Sequence, residues 1–185
     1  MNQDKSSPAE RMEKQALAAS WPRVLIAEGV ADALADSWVD SRQQSIREGQ
    51  AAFARHPLTD RVVGGIFHAR RARCLVRGLE GAESALAAQE AGLAKVEQVR
   101  GGDRSVRISR LLIVSADGSV RFFRQVGKIE TRFARRLAVL VLDCDHEALG
   151  AAAFGPGHQA RALLIEHKDA VIRFLSLLDR FPSSQ

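Results

Sequence analysis

Five cations, Arg121, Arg124, Lys128, Arg132 and Arg135, recur at spacings of three and four residues. At 100° per residue they fall within about 80° of one another on a helix. Like charges at that spacing repel, and a polyanion laid along the face removes the repulsion. Most of them are Arg, whose planar fork of N–H donors suits phosphate better than the point charge of Lys. Arg70, Arg71, Arg73 and Arg77 add cations upstream. Aromatic residues make up only 5% of the chain, with no Tyr, and the Phe residues of the basic helix fall on its apolar side. Base stacking therefore has few platforms, and structured RNA contacted through phosphates and shape fits better than splayed single strands.

A second group, Asp143, Asp145, His146 and Glu147, follows the apolar run LAVLVL. Carboxylates two apart at a strand end suit Mg²⁺ with substrate phosphates completing its shell. The same residues also suit a polar turn, with Asp143 or Asp145 capping the next helix. Cys144 between two acids has its thiolate disfavoured and makes a poor nucleophile. FGPGHQ at 154–159 matches neither GxGxxG nor GxxxxGK[ST] and follows a helix, so it reads as a helix-ending turn. His56, His68, His146, His158 and His167 show no metal-ligand spacing, and no serine-nucleophile elbow is present.

These side chains need elements to hold them. Residues 1–8 read as a loose tail and Ala9–Ala19 as a helix broken at Trp21-Pro22. RVLIA suits a short strand, but Ile26, Val30, Leu34 and Trp38, four residues apart, favour a helix from Val24 to about Arg55 that stops at His56-Pro57. Thr59 or Asp60 caps a helix over Val62–Ala72, and Gly78 with Gly81 marks a turn before a helix over Ala82–Ala94. Ile108–Ser115 reads as a buried strand ending in Asp117-Gly118-Ser119, which leads into the basic helix. Leu137–Leu142 and Ala162–Ile165 are further strands, with Glu147–Phe154 and Lys168–Leu178 as helices. Such alternation implies a sheet covered on both faces.

The composition agrees with this plan. The chain has 185 residues, 46% hydrophobic and 26% charged, which suits one folded domain with an appendage. Its first residues lack the apolar centre of a secretory signal, no run is long enough to span a membrane, and two distant cysteines suit a reducing cytoplasm. The net charge of +5 is unevenly spread: residues 61–136 hold 16 Lys/Arg against 7 Asp/Glu, and both flanks are slightly acidic.

Residues 66–178 resemble the kink-turn-binding ribosomal-protein family of archaea and eukaryotes and its short bacterial relatives. FHARRARCLVRGLEGAESAL is similar to the family's helix, its xLVxG turn and the helix whose start approaches RNA. LLIVSADGS is similar to its strand and acidic turn, DHEALGAAAFG to its ELGxAxG segment, and ARALLIEHKDAVIRFL to its last strand and helix. The resemblance implies a three-layer α/β/α sandwich that binds structured RNA, in the ribosome among other settings. The family's RNA turn reads Gly-x-Asn-Glu-x-x-Lys. Here Gly78–Ser84 keeps only the glycine, which moves the expected RNA surface toward the arginine-rich helix or the basic loop around 101–107.

A second resemblance is to Toprim domains. VLIAEGVADALA is similar to their strand ending in Glu-Gly, and VLDCDHEALG to their Asp-x-Asp motif, which implies Glu28, Asp143 and Asp145 around Mg²⁺ for phosphoryl transfer. The expectation adopted is an α/β sandwich over 58–185 with a mixed central sheet, after a helical N-terminal extension over 1–57. It binds RNA without catalysis or cofactor through Arg70, Arg71, Arg73, Arg77, Gly78, Arg121, Arg124, Lys128, Arg132 and Arg135. The alternatives are the Mg²⁺-dependent enzyme and a protein–protein adaptor displaying Trp21 and Trp38.

Overall fold

The computed structural model describes residues 7–43, 52–100 and 106–178, the side chains of 43 and 96–100 excepted. The basic loop around 101–107 therefore lies mostly outside the described residues. Helix α1 (Pro8–Ser20) opens on Ser7, whose hydroxyl accepts from the Glu10 N–H, as an N-cap should. α2 (Arg23–Ala27) and α3 (Ala31–Gln43) follow. β1 (Ala54–His56) then leads to α4 (Asp60–Arg71), capped by Thr59. Next come β2 (Leu75–Arg77) and α5 (Leu79–Arg100). β3 (Arg110–Ser115), α6 (Val120–Phe133), β4 (Leu137–Leu142), α7 (His146–Phe154), β5 (Ala162–Ile165) and α8 (Lys168–Leu175) complete the order.

The five strands form one mixed sheet in the order β1-β4-β3-β5-β2. β1, β4 and β3 are parallel, whereas β5 runs antiparallel to both β3 and β2. Period-two alternation divides the apolar strand residues between two layers. Leu111, Ile113, Leu140, Leu142, Leu163 and Ile165 face α4, α7, α8 and the N-terminal helices. Leu112, Val114, Val139, Val141 and Leu164 face α5 and α6. This is an α/β sandwich with helices on both sides of the sheet, and no described helix is long and apolar enough to cross a membrane.

The single helix expected from Val24 to Arg55 is corrected. Gly29 at φ +71° is a left-handed position that favours glycine, and it separates α2 from α3. Of the four-residue series, Leu34 and Trp38 are buried, but Ile26 and Val30 are 41% and 42% exposed. Ala54 and Arg55, expected as the end of that helix, belong with His56 to a strand that pairs with Leu140–Leu142 instead. Trp21 and Trp38 meet edge to face at 5.2 Å between centroids and are both fully buried in the cluster that includes Leu111, Leu140 and Ile165. They are anchors of the core, so the adaptor expectation loses the exposed surface it required.

Candidate nucleic-acid interface

α6 is positioned by its own sequence. Ser119 accepts from the Phe122 N–H and caps the helix. A Cβ on Gly118 would lie 2.4 Å from a ring atom of Phe122, so the turn before the helix needs a residue without a side chain. Phe123, Val126, Ile129 and Phe133 are buried against the sheet, at about 1.5–3 kcal/mol for each large apolar side chain. That burial fixes the opposite face toward solvent, where Arg121, Arg124, Lys128, Arg132 and Arg135 are all exposed.

The five are not equivalent. Among the described residues, no acid pairs with Arg121, Arg124 or Lys128. Arg132 donates to Glu83 of α5 at 3.0 Å and sits 4.9 Å from the Phe133 ring centroid; Arg135 also has a partner. The one acid of the helix, Glu130, is turned away and meets Arg42 at 3.3 Å. Burial raises the Glu130 pKa, and the Arg42 guanidinium counteracts part of that rise. Arg42 also reaches Glu13, so it ties α1 and α3 to the back of α6 and leaves the cationic ridge without its nearest counter-ion.

The upstream cations lie elsewhere. α4 belongs to the opposite helical layer, so the expected RNA-binding residues form two groups and not one surface. Arg70 donates to the Ala153 carbonyl at 3.1 Å, Arg77 donates to the Gln159 carbonyl, and both guanidinium groups lie over Phe154, at 5.4 and 5.2 Å. Arg71 lies over Phe67. Arg73 is exposed at φ +57°, and Gly78 takes φ +84° while its N–H bonds the Ala162 carbonyl at 2.8 Å. Arg70 and Arg77 thus hold the end of α7 and the turn after it. A Cβ on Gly150 would lie 2.3 Å from the His158 carbonyl oxygen, because residues 154–159 fold back along the helix. The glycine-rich segment is the helix-ending turn that its position implies.

The placement of Glu28, Asp143 and Asp145 gives the Mg²⁺ alternative no support. Glu28 ends helix α2, not a strand; Asp143 is bound by Arg55 at 2.8 Å; and Asp145 caps α7 by accepting from the Ala148 N–H at 2.7 Å. Among the described residues no group of three His, Cys, Asp or Glu side chains is arranged to hold a metal.

One cluster at this end of the sheet was not anticipated. Ser115, fully buried, donates to Asp117 at 2.6 Å, and the other oxygen of Asp117 meets His146 Nδ1. Burial pushes the Asp117 carboxyl upward, but the hydrogen bonds from Ser115 and His146 outweigh it and hold the group at about 2. The arrangement ties the turn before α6 to the start of α7. The sequence signal was the Asp117-Gly118 turn, but nothing in the spacing linked it to His146. Burial, and then Asp145, Asp117 and Asp143, push the Cys144 thiol up to about 11, as expected of an inert cysteine.

No protein-family model matches the chain, and no curated protein matches it in sequence. A solved structure that is similar in part is that of a protein with unknown function from Bacillus halodurans C, at 16% identity and a TM-score of 0.44, covering 63% of this chain and 94% of that one.

Proposed function

We propose that this protein binds structured RNA without catalysing a reaction on it, and that the exposed face of α6 makes the phosphate contacts. One observation carries the reading: Arg121, Arg124 and Lys128 stand on one exposed helix face with no acidic partner among the described residues. Their mutual repulsion is a standing cost that a row of phosphates removes, with release of condensed counter-ions as the driving term. Such contacts fix position without reading sequence. The resemblance to the kink-turn-binding ribosomal proteins is a separate motive for choosing RNA over DNA, and ribosomal RNA in the cytoplasm is the partner this reading names. On the same reading Arg132 and Arg135 flank the contact, while Arg70, Arg71, Arg73, Arg77 and Gly78 stand outside it.

The test is fluorescence anisotropy of a labelled RNA stem-loop between about 50 and 200 mM salt, a range over which phosphate contacts change affinity steeply. Reversing Arg124 and Lys128 to Glu should weaken binding by about 10- to 100-fold and lower the salt slope by about two. An unchanged slope would show that the phosphates lie elsewhere. Equal binding to a DNA hairpin of the same sequence would remove the assignment to RNA.

A further inference from the structure

Between α4 and α8, in the helical layer opposite the basic ridge, lies a pocket of ≈430 Å³, within the size range of small-molecule sites. Its floor is small or apolar. Gly65, Ala69 and Phe174 are buried beneath it and Ala170 is half-buried. The space exists because α4 presents Gly65, Ala69 and Ala72 where larger side chains would fill it. Gly65 has a separate task, since a Cβ there would lie 3.0 Å from both Phe174 and Leu177; its absence lets the two helices approach and close the bottom of the cleft.

The rim is polar and asymmetric. His68 comes from α4, and His167, Asp169 and Arg173 come from α8 and its cap. Asp169, the one acid among the described residues lining the pocket, lies 3.9 Å from the His167 imidazole, whose Nδ1 accepts from the Asp169 backbone N–H at 3.4 Å. Arg173 is exposed and, among the described residues, has no acidic partner. The backbone offers it little competition: the carbonyls of His68, Ala69 and Arg70 at the end of α4 already accept from the N–H groups of Ala72, Cys74 and Arg73. A guanidinium fork and two imidazoles above an apolar floor match a ligand with an anionic head and a compact apolar body.

We propose that this cleft is a binding site for a small organic carboxylate, with the carboxylate on Arg173 and the apolar body against Ala69, Ala170 and Phe174. The inference is independent of the RNA reading, because the site lies in the other helical layer.

The experiment is a titration of the ¹⁵N-labelled full chain followed by amide NMR, with 3-phenylpropionate as the probe and its uncharged amide as the comparison. The carboxylate should shift the amides of Ala69, Ala72 and Ala170 with a Kd of about 1 mM or tighter. The amide should bind at least about fivefold more weakly, and Arg173→Gln should remove that difference. Ala170→Leu should block both ligands; if that variant does not fold, the exposed Arg173→Gln change decides the matter alone. The proposal is overturned if these amides do not move up to about 10 mM probe, well above the expected Kd. It is also overturned if acid and amide bind equally, if Arg173→Gln has no effect, or if inorganic phosphate shifts the same amides as strongly, since the floor would then play no part.

Discussion

The two arginine clusters carry the same side chain on opposite layers of one sheet, and they are employed differently. Arg70 and Arg77 are exposed, yet each donates to a backbone carbonyl near the end of α7 and lies over Phe154. Arg121 and Arg124 are equally exposed, and no acid pairs with either among the described residues. Exposure therefore does not measure availability. A guanidinium that satisfies a helix's last carbonyls is already used by the fold, whereas one held on a helix face by apolar residues beneath it has donors to offer a ligand. The difference lies in what surrounds each cluster: the first borders a loop that folds back on its helix, and the second borders solvent.

The comparison breaks first on paired substitutions. The Arg124→Glu and Lys128→Glu pair should cost about 10- to 100-fold in RNA affinity and leave the thermal midpoint nearly unchanged, since neither residue has an acidic partner to lose among those described. Replacing both Arg70 and Arg77 by Ala should do the reverse. Loss of two charged hydrogen bonds and the contacts to Phe154 removes about 1–2 kcal/mol in all, discounted for exposure. For a chain of this size that lowers the midpoint by about 3–6 °C, measured by circular dichroism, with the RNA salt slope retained. An RNA defect in the second pair equal to that in the first would erase the distinction between the two regions.

Much of this was legible in the sequence, for reasons of period. LAVLVL is a strand over Leu137–Leu142 because an apolar run bounded by turn residues has few other solutions, and ALLI over Ala162–Ile165 follows the same rule. The basic face of α6 was legible because charge and apolarity alternate there with the helical period. What a single segment could not reveal was who pairs with whom. Nothing local in Ala54–His56 announces a partner 86 residues later at Leu140–Leu142, nor does the spacing of Arg70 and Arg77 announce Phe154. Glu28 is the opposite case, because the helical state expected from Val24 onward is the one observed. VLIA has the composition of a buried strand, yet Pro22 and Gly29 bracket it into one short helix on which only Leu25 is buried. Long-range pairing decided β1 and the Arg70 and Arg77 contacts, and pattern reading has no access to it.

The hydrogen-bonded turn before α6 offers a control that should separate stability from binding. Asp117 is held at about 2 against an ordinary value of 3.8. A carboxyl whose pKa falls on folding contributes stability that is fully present above its unfolded value and is lost as pH falls through the folded one. Asp117→Asn should therefore be less stable than the natural chain at neutral pH. The gap in thermal midpoint should narrow between about pH 4 and pH 2. RNA affinity should change little, because the substituted group faces Ser115 and His146 and not the ridge. A gap that stays constant through that range would mean that the carboxylate's charge contributes nothing there.

The smallest effect gives the finest test of availability. Arg132 belongs to the ridge by helical position, but its guanidinium is engaged by Glu83 of α5. The Arg132 side chain is 55% exposed and that of Glu83 37%, and solvent-accessible pairs of this kind contribute at most about 1 kcal/mol. Glu83→Gln removes the opposing charge while keeping the length of the side chain, so it should cost little in stability. It also frees one cation and deletes one anion beside the proposed phosphate track, which should tighten RNA binding by about twofold and steepen the salt dependence by a fraction of one contact. Anisotropy at about 50 mM salt, where screening is weakest, is the measurement with enough leverage. Weaker binding in Glu83→Gln would mean that the pair holds Arg132 in its working position, so that α5 takes part in the interface; an unchanged affinity would confine the contact to Arg121, Arg124 and Lys128.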